Sequence, residues 1–82
     1  MYFEIYIIEG CPYCQATKDL VKTKGLPAKM YLVKPMDKSK FKALNGMPTF
    51  PHVFMVQSGQ KTKIGGYQEF KQCLEKKMNS HT

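Results

Sequence analysis

The sequence predicts an α/β fold: a four-stranded mixed sheet flanked by three helices, in the order β-α-β-α-β-β-α. Three observations carry it. A β-branched and aromatic run at residues 2–8 leads into a helical pattern and a second short strand, a βαβ unit with a parallel pair and a right-handed crossover. Two later strand-like runs meet at Ser58-Gly59, which makes a hairpin and so an antiparallel pair. The chain then closes on Phe70, Cys73, Leu74 and Met78, one apolar stripe at helical spacing.

Each element has a local reason. Tyr2 to Ile8 is expected as a strand buried on both faces. Pro12 suits the first position of a helix, where its missing N–H has no cost, and Cys11 falls at or near the N-cap. Ala16, Leu20 and Val21 recur at helical spacing, and Gly25-Leu26-Pro27 is a helix stop with its apolar contact. Met30 to Val33 is the second strand. Asp37 is placed to cap a short helix through Phe41 and Leu44, ended by Asn45-Gly46. His52 to Val56 is the third strand, and the mostly polar Lys61 to Ile64 is an edge strand. Gly65-Gly66 lead into the last helix. The whole chain, 1–82, reads as one domain with residues 79–82 as a frayed tail.

Composition narrows the function classes. At 82 residues, with 43% hydrophobic and 23% charged side chains, the chain is a small globular domain. No run approaches the ~20 apolar residues of a membrane span, and the start lacks the pattern of a secretory leader. The expectation is a cytoplasmic protein with no membrane association. The net charge is +7, but all thirteen cations are scattered lysines and arginine is absent. A nucleic-acid reader would use arginine for bidentate contacts, so no nucleic-acid partner is expected. The lysines read as a solvated surface.

The chemistry lies in EGCPYCQATKDL. Three cysteines, Cys11, Cys14 and Cys73, are too few for a secreted disulfide scaffold. A close pair in a reducing compartment points to redox or metal chemistry. A closed zinc site takes four ligands; beyond this pair only Cys73, His52 and His81 remain, with no second pair, so no metal is expected. A structural disulfide across this very short loop would restrain little. At a helix start, however, unpaired amides and the helix dipole stabilise a thiolate. Cys11 is thus a usable nucleophile. Cys14, three residues on and on the same face, can attack a mixed disulfide formed there. Pro12 and Tyr13 form the loop between them.

Two further segments support redox work. Pro51, entering a strand after Phe50, signals a special turn, and it could expose the Phe50 backbone to an extended thiol-peptide. In IGGYQEF, two glycines permit close backbone approach, and the amides of Tyr67 and Gln68 at a helix start suit a carboxylate. Taken alone, each is also compatible with plain turn punctuation.

Together, in this order and at these intervals, the three segments resemble the glutaredoxins. Cys11-Pro12-Tyr13-Cys14 matches the dithiol active site of that family. Thr49-Phe50-Pro51 with His52-Val53-Phe54 is similar to its T-V-P-x-V-F segment, and Ile64-Gly65-Gly66 with Tyr67-Gln68-Glu69-Phe70 to its I-G-G-x-x-D-L segment. The resemblance covers nearly the whole chain. It implies a thioredoxin-like fold and a thiol–disulfide oxidoreductase with glutathione as co-substrate, reducing protein disulfides and protein–glutathione mixed disulfides. By resemblance, Cys11 is the nucleophile, Cys14 the resolving thiol, and the Cys11–Cys14 disulfide is redox-active. Pro51 is the cis proline. Thr49, Phe50, Gly66, Tyr67, Gln68 and Glu69 hold glutathione: Phe50 through its backbone, Tyr67 and Gln68 at the γ-glutamyl carboxylate, Glu69 near the ammonium. Lys38 reaches the glycyl carboxylate. The expected partners of this monomer are glutathione and disulfide-bearing proteins, with ribonucleotide reductase as one candidate.

Some positions depart from the family pattern. Ile8 stands where a lysine is common, Gln15 where a basic residue is common, and Glu9 adds negative charge, so Cys11 is expected to be less reactive than is usual in the family. Phe50 replaces a small valine, Pro48 precedes Thr49, and Gln68 replaces a better helix cap. Two rival functions within reach of the same residues are a thioredoxin-like electron donor recharged by thioredoxin reductase, and a glutathione-ligated iron–sulfur carrier. The IGG segment with Lys38 argues against the first. Members with the second role usually have glycine where Pro12 sits. Cys73 is read as a packing residue.

Overall fold

The computed structural model describes residues 1–79, with side chains through Lys76. The strands are β1 (Tyr2–Ile7), β2 (Ala28–Leu32), β3 (His52–Gln57) and β4 (Gln60–Gly65). The helices are α1 (Pro12–Lys24), α2 (Lys38–Asn45) and α3 (Tyr67–Asn79), with a 3-10 turn at Pro35–Asp37. The sheet order is β2-β1-β3-β4. β1 pairs parallel with β2 and antiparallel with β3, and β3 pairs antiparallel with β4. The predicted α/β order and mixed sheet are observed. The expected frayed tail falls largely at residues 80–82, outside the described residues, as does the Met78 side chain.

Local sterics set the boundaries near the cysteines. Pro12 is the first residue of α1 and Cys11 its N-cap, with extended backbone. At the other end Gly25 is left-handed (φ 62°), its N–H bonds Lys22 O, and the Leu26 N–H bonds Val21 O. This is a Schellman stop, which only glycine adopts without strain. Asp37 occupies the N-cap position of α2, yet its side chain makes no capping bond. The 3-10 turn runs straight into the helix and already bonds the amides of Asp37 and Lys38 to Lys34 O and Pro35 O. β2 begins earlier than expected. Phe3 N–H bonds Pro27 O, and Phe3 pairs with Ala28, so the Ala28-Lys29 start is held by β1.

β1 corrects an expectation. Its faces alternate: Phe3, Ile5 and Ile7 are buried, while Tyr2, Glu4 and Tyr6 are half-buried. α3 covers the first face, where Phe3 meets Phe70 edge-to-face at 5.0 Å, and α1 packs against α3 there. On the second face the short α2 reaches only as far as Tyr6. The Tyr6 ring packs against Tyr31 (5.3 Å), Phe41 (5.4 Å) and Phe54 (5.9 Å). Lys61 lies across this cluster, 4.5 Å from the Phe54 ring, and pairs with Glu4 at 3.0 Å. Both ions are partly exposed, so solvent screens the pair and it adds little. α1 also differs in detail: Cys14 and Thr17 are its buried positions, while Ala16, Leu20 and Val21 are half-buried. The Thr17 hydroxyl satisfies itself by donating to Tyr13 O at 2.7 Å.

Candidate active site

Three chain segments converge at one end of the sheet: the start of α1, the turn before β3, and the start of α3. The Cys11 sulfur accepts the Cys14 N–H at 3.2 Å, an N-cap bond made by a thiol. The same thiol donates to the Phe50 carbonyl oxygen, 3.7 Å away. Cys11 is partly accessible, Cys14 is 2% exposed, and both are free thiols, the dithiol form of the pair. Burial pushes the Cys14 thiol up to about 12, and its contact with Cys11 adds to the rise. The backbone at Ile8 and the charge of Lys18 act weakly the other way.

The two thiols differ. Cys14 stays protonated at neutral pH and out of reach of solvent, which leaves Cys11 as the sulfur that an incoming disulfide could reach. A disulfide formed at Cys11 would remove the contact that adds to the Cys14 rise. Stepwise alkylation of the reduced protein checks this. Iodoacetamide is expected to modify Cys11 at pH 7, while Cys14 remains unmodified up to the ordinary thiol value of 9.0. Modification of Cys14 at pH 7 at a rate similar to Cys11 would contradict the assignment.

The peptide bond Phe50–Pro51 is cis. Beside it lies a cleft of about 250 Å³ lined by Tyr13, Thr49, Phe50, Pro51, Gly66, Tyr67, Gln68 and Glu69. The rings of Tyr13 and Tyr67, 6.0 Å apart, bring the starts of α1 and α3 together. Lys38, the first residue of α2, is not among the residues lining this cleft. A larger cleft, about 510 Å³, opens on both cysteines; Ile8, Glu9, Gln15, Lys18 and Leu32 are among its lining. Leu32 had no signal in the sequence, because only the β1–β2 crossover brings it to this cleft, whereas Lys18 comes there along α1, four residues after Cys14. Gln15 is tied along the helix to Asp19 at 3.2 Å.

Glu69 has a structural task the motif alone did not reveal. Its Oε1 accepts the Gly66 N–H at 2.8 Å, closing the start of α3 as the acidic member of a capping box. Glu69 sits so close that a Cβ on Gly65 would lie 2.8 Å from its own Cβ, and Gly65 has φ 130°. Both facts require glycine at that position. The signal was present: an acidic residue three positions after the cap. Cys73 corrects an expectation: it is half-buried and lies outside the core cluster, lining a surface cleft with Lys63, Ile64, Glu69, Gln72 and Lys76. Among the described residues no three His, Cys, Asp or Glu side chains cluster as metal ligands. No helix among them is long and apolar enough to cross a membrane.

The glutaredoxin family model matches residues 3–58. That span includes both cysteines and Pro51 and stops before the IGG segment. Among solved structures, the chain is similar to glutaredoxin from Brucella melitensis, with TM-score 0.71 and 26% identity over 98% of this chain and 86% of that one. It is also similar to reduced Escherichia coli glutaredoxin, with TM-score 0.64 and 26% identity over the full length of both. No curated protein matches the sequence. The fold is thioredoxin-like.

Proposed function

The chain belongs to the glutaredoxin family, a family of thiol–disulfide oxidoreductases, and from that premise we propose that it reduces disulfides at the expense of glutathione. The observation that carries this reading is the cleft beside Cys11. It joins Phe50, the start of α3 at Tyr67 and Gln68, and Glu69 within one groove of about 250 Å³. An extended cysteinyl peptide would pair with the Phe50 backbone, its sulfur next to Cys11. Its carboxylate would take the exposed amides at the start of α3. Glu69 Oε1 is committed to Gly66, which leaves Oε2 for an ammonium. Lys38 would meet the remaining carboxylate only if its long side chain swings to the cleft.

The exchange balances in two ways. On a protein–glutathione mixed disulfide, the Cys11 thiolate attacks the glutathione sulfur and expels the protein thiolate, which takes a proton. A second glutathione thiolate then attacks that same sulfur, releasing Cys11 and glutathione disulfide. On a protein disulfide, Cys11 forms the mixed disulfide. Cys14 loses its proton and attacks Cys11 Sγ, releasing the reduced protein and leaving the Cys11–Cys14 disulfide. Two glutathione molecules restore the dithiol. We place this activity in the cytoplasm, in a single-domain monomer, with ribonucleotide reductase among the candidate substrates.

Cys14→Ser separates the routes. It is expected to keep at least about a third of wild-type turnover on a small glutathione mixed disulfide, since that cycle needs one protein thiol. Reduction of insulin disulfides should fall at least about tenfold, because the trapped mixed disulfide loses its internal nucleophile. Loss of both activities together would count against the glutathione route. So would recharging by thioredoxin reductase with none by glutathione.

A further inference from the structure

The residue after Pro51 takes no part in these exchanges, yet it is tied to the site on every side. His52 opens β3 and is fully buried. Its Nδ1 lies 2.9 Å from Asn45 Nδ2, so the amide donates and Nδ1 accepts. The proton of the neutral ring is therefore on Nε2, which makes no well-formed hydrogen bond, although the Thr49 and Met47 carbonyls lie near enough to the ring to act on it. The imidazole lies flat against the Phe50 ring, with centroids 4.0 Å apart and planes within 7°. Phe50 in turn places its carbonyl oxygen 3.7 Å from the Cys11 sulfur. Asn45 ends α2, and its own carbonyl accepts from Lys63 Nζ of β4 at 3.2 Å.

An apolar side chain would fill the space of His52 without leaving a buried N–H unsatisfied, which is costly. Packing alone does not call for histidine there. What the imidazole adds is direction: one edge is pinned to α2, and its face fixes the tilt of Phe50. We propose that His52, anchored by Asn45, is a positioning residue that holds the Phe50 backbone at the distance from Cys11 where the sulfur-bearing residue of a disulfide substrate docks. The inference rests on Phe50 as the docking strand in the proposed function, and it applies to glutathione and protein disulfides alike.

The arrangement has a pH signature. Burial holds His52 below the usual histidine range; the Thr49 carbonyl opposes this, Lys42 and Lys63 add to it, and the Met47 carbonyl opposes it. Tyr6 is its partner across β1, and Cys11 lies beyond Phe50. The ring is neutral at pH 7. In acid Nδ1 becomes a donor and can no longer accept from Asn45 Nδ2, so this bond is broken and the amide must turn over to offer its oxygen.

The test compares wild type with Asn45→Ala and His52→Phe, each checked for folding by circular dichroism and thermal midpoint. KM and kcat are measured with a small glutathione mixed disulfide and with insulin, together with the alkylation rate of Cys11. At pH 7 both variants are expected to raise KM about fivefold, the effect of losing one hydrogen bond, with kcat and alkylation changed less than about twofold. Wild-type KM should rise as pH falls below the ordinary histidine value of 6.5, while that of His52→Phe stays level. Folded variants with wild-type KM in both assays would overturn the proposal, as would a wild-type KM that is flat in acid. Asn45 is only half-buried, so its variant decides the matter if His52→Phe does not fold. A wild type that reduces insulin but not the glutathione mixed disulfide would refute the glutathione reading alone, and the insulin arm would then decide the role of His52.

Discussion

Cys11→Ser is expected to lower turnover of every disulfide substrate by at least about a thousandfold, because a serine hydroxyl is un-ionised near neutral pH and forms no disulfide. The structure makes this a clean substitution. Position 11 is the N-cap of α1, where the side chain accepts the Cys14 N–H, and serine is a preferred residue at an N-cap. The variant should therefore fold at least as well as wild type. A thermal midpoint equal to or above that of wild type, with turnover at background, is the predicted pair of results. Residual activity above about a tenth of wild type would mean that another thiol starts the exchange.

Phe70→Ala carries the largest expected cost to stability, about 3–5 kcal/mol. Phe70 is fully buried and meets Phe3 edge-to-face at 5.0 Å, which joins α3 to the central strand. A chain of this length is stable by only about 4–12 kcal/mol in total. The midpoint should fall by at least about 12 °C, at ~4–8 °C per kcal/mol for a domain of this size. Activity should fall with it, since α3 begins with Tyr67 and Gln68 in the cleft and packs against α1 behind the cysteines. Thermal and urea unfolding measure the change. A shift below about 4 °C would mean that the α3 face is not the centre of the core.

The cysteine loop was legible in the sequence because its geometry is local. Pro12 can start a helix and cannot continue one, and Gly25 takes a left-handed turn that other residues resist. Both act within one helical turn of themselves. The strand and helix order was legible for the same reason. What the sequence did not reveal depends on which element covers which. β1 reads as a strand buried on both faces, but Tyr2, Glu4 and Tyr6 are only half-buried. Thr17 and His52 are polar, with no burial signal of their own, and both are fully buried. The first is satisfied along its own helix, the second by a residue seven positions away on another element. The helix starts at Tyr13 and at Tyr67-Gln68 were legible from proline and glycine placement, and the family resemblance joined them to Thr49, Phe50 and Glu69. Lys38 came from the same resemblance, and it opens α2 outside the lining of that cleft. Glu69 came from it too, and the carboxylate assigned to a ligand also caps a helix.

The central claim is that Cys11 alone exchanges with glutathione while Cys14 waits protonated behind it. Incubating Cys14→Ser with glutathione disulfide and mapping the product by peptide mass spectrometry tests it directly. The Cys11 thiolate should displace one glutathione thiolate and retain the other glutathione as a mixed disulfide. The predicted result is one glutathione per chain, carried on Cys11, released by added glutathione, with Cys73 unmodified. A glutathione found on Cys73 in place of Cys11, or no adduct while the wild-type disulfide is recharged only by thioredoxin reductase, would contradict the account.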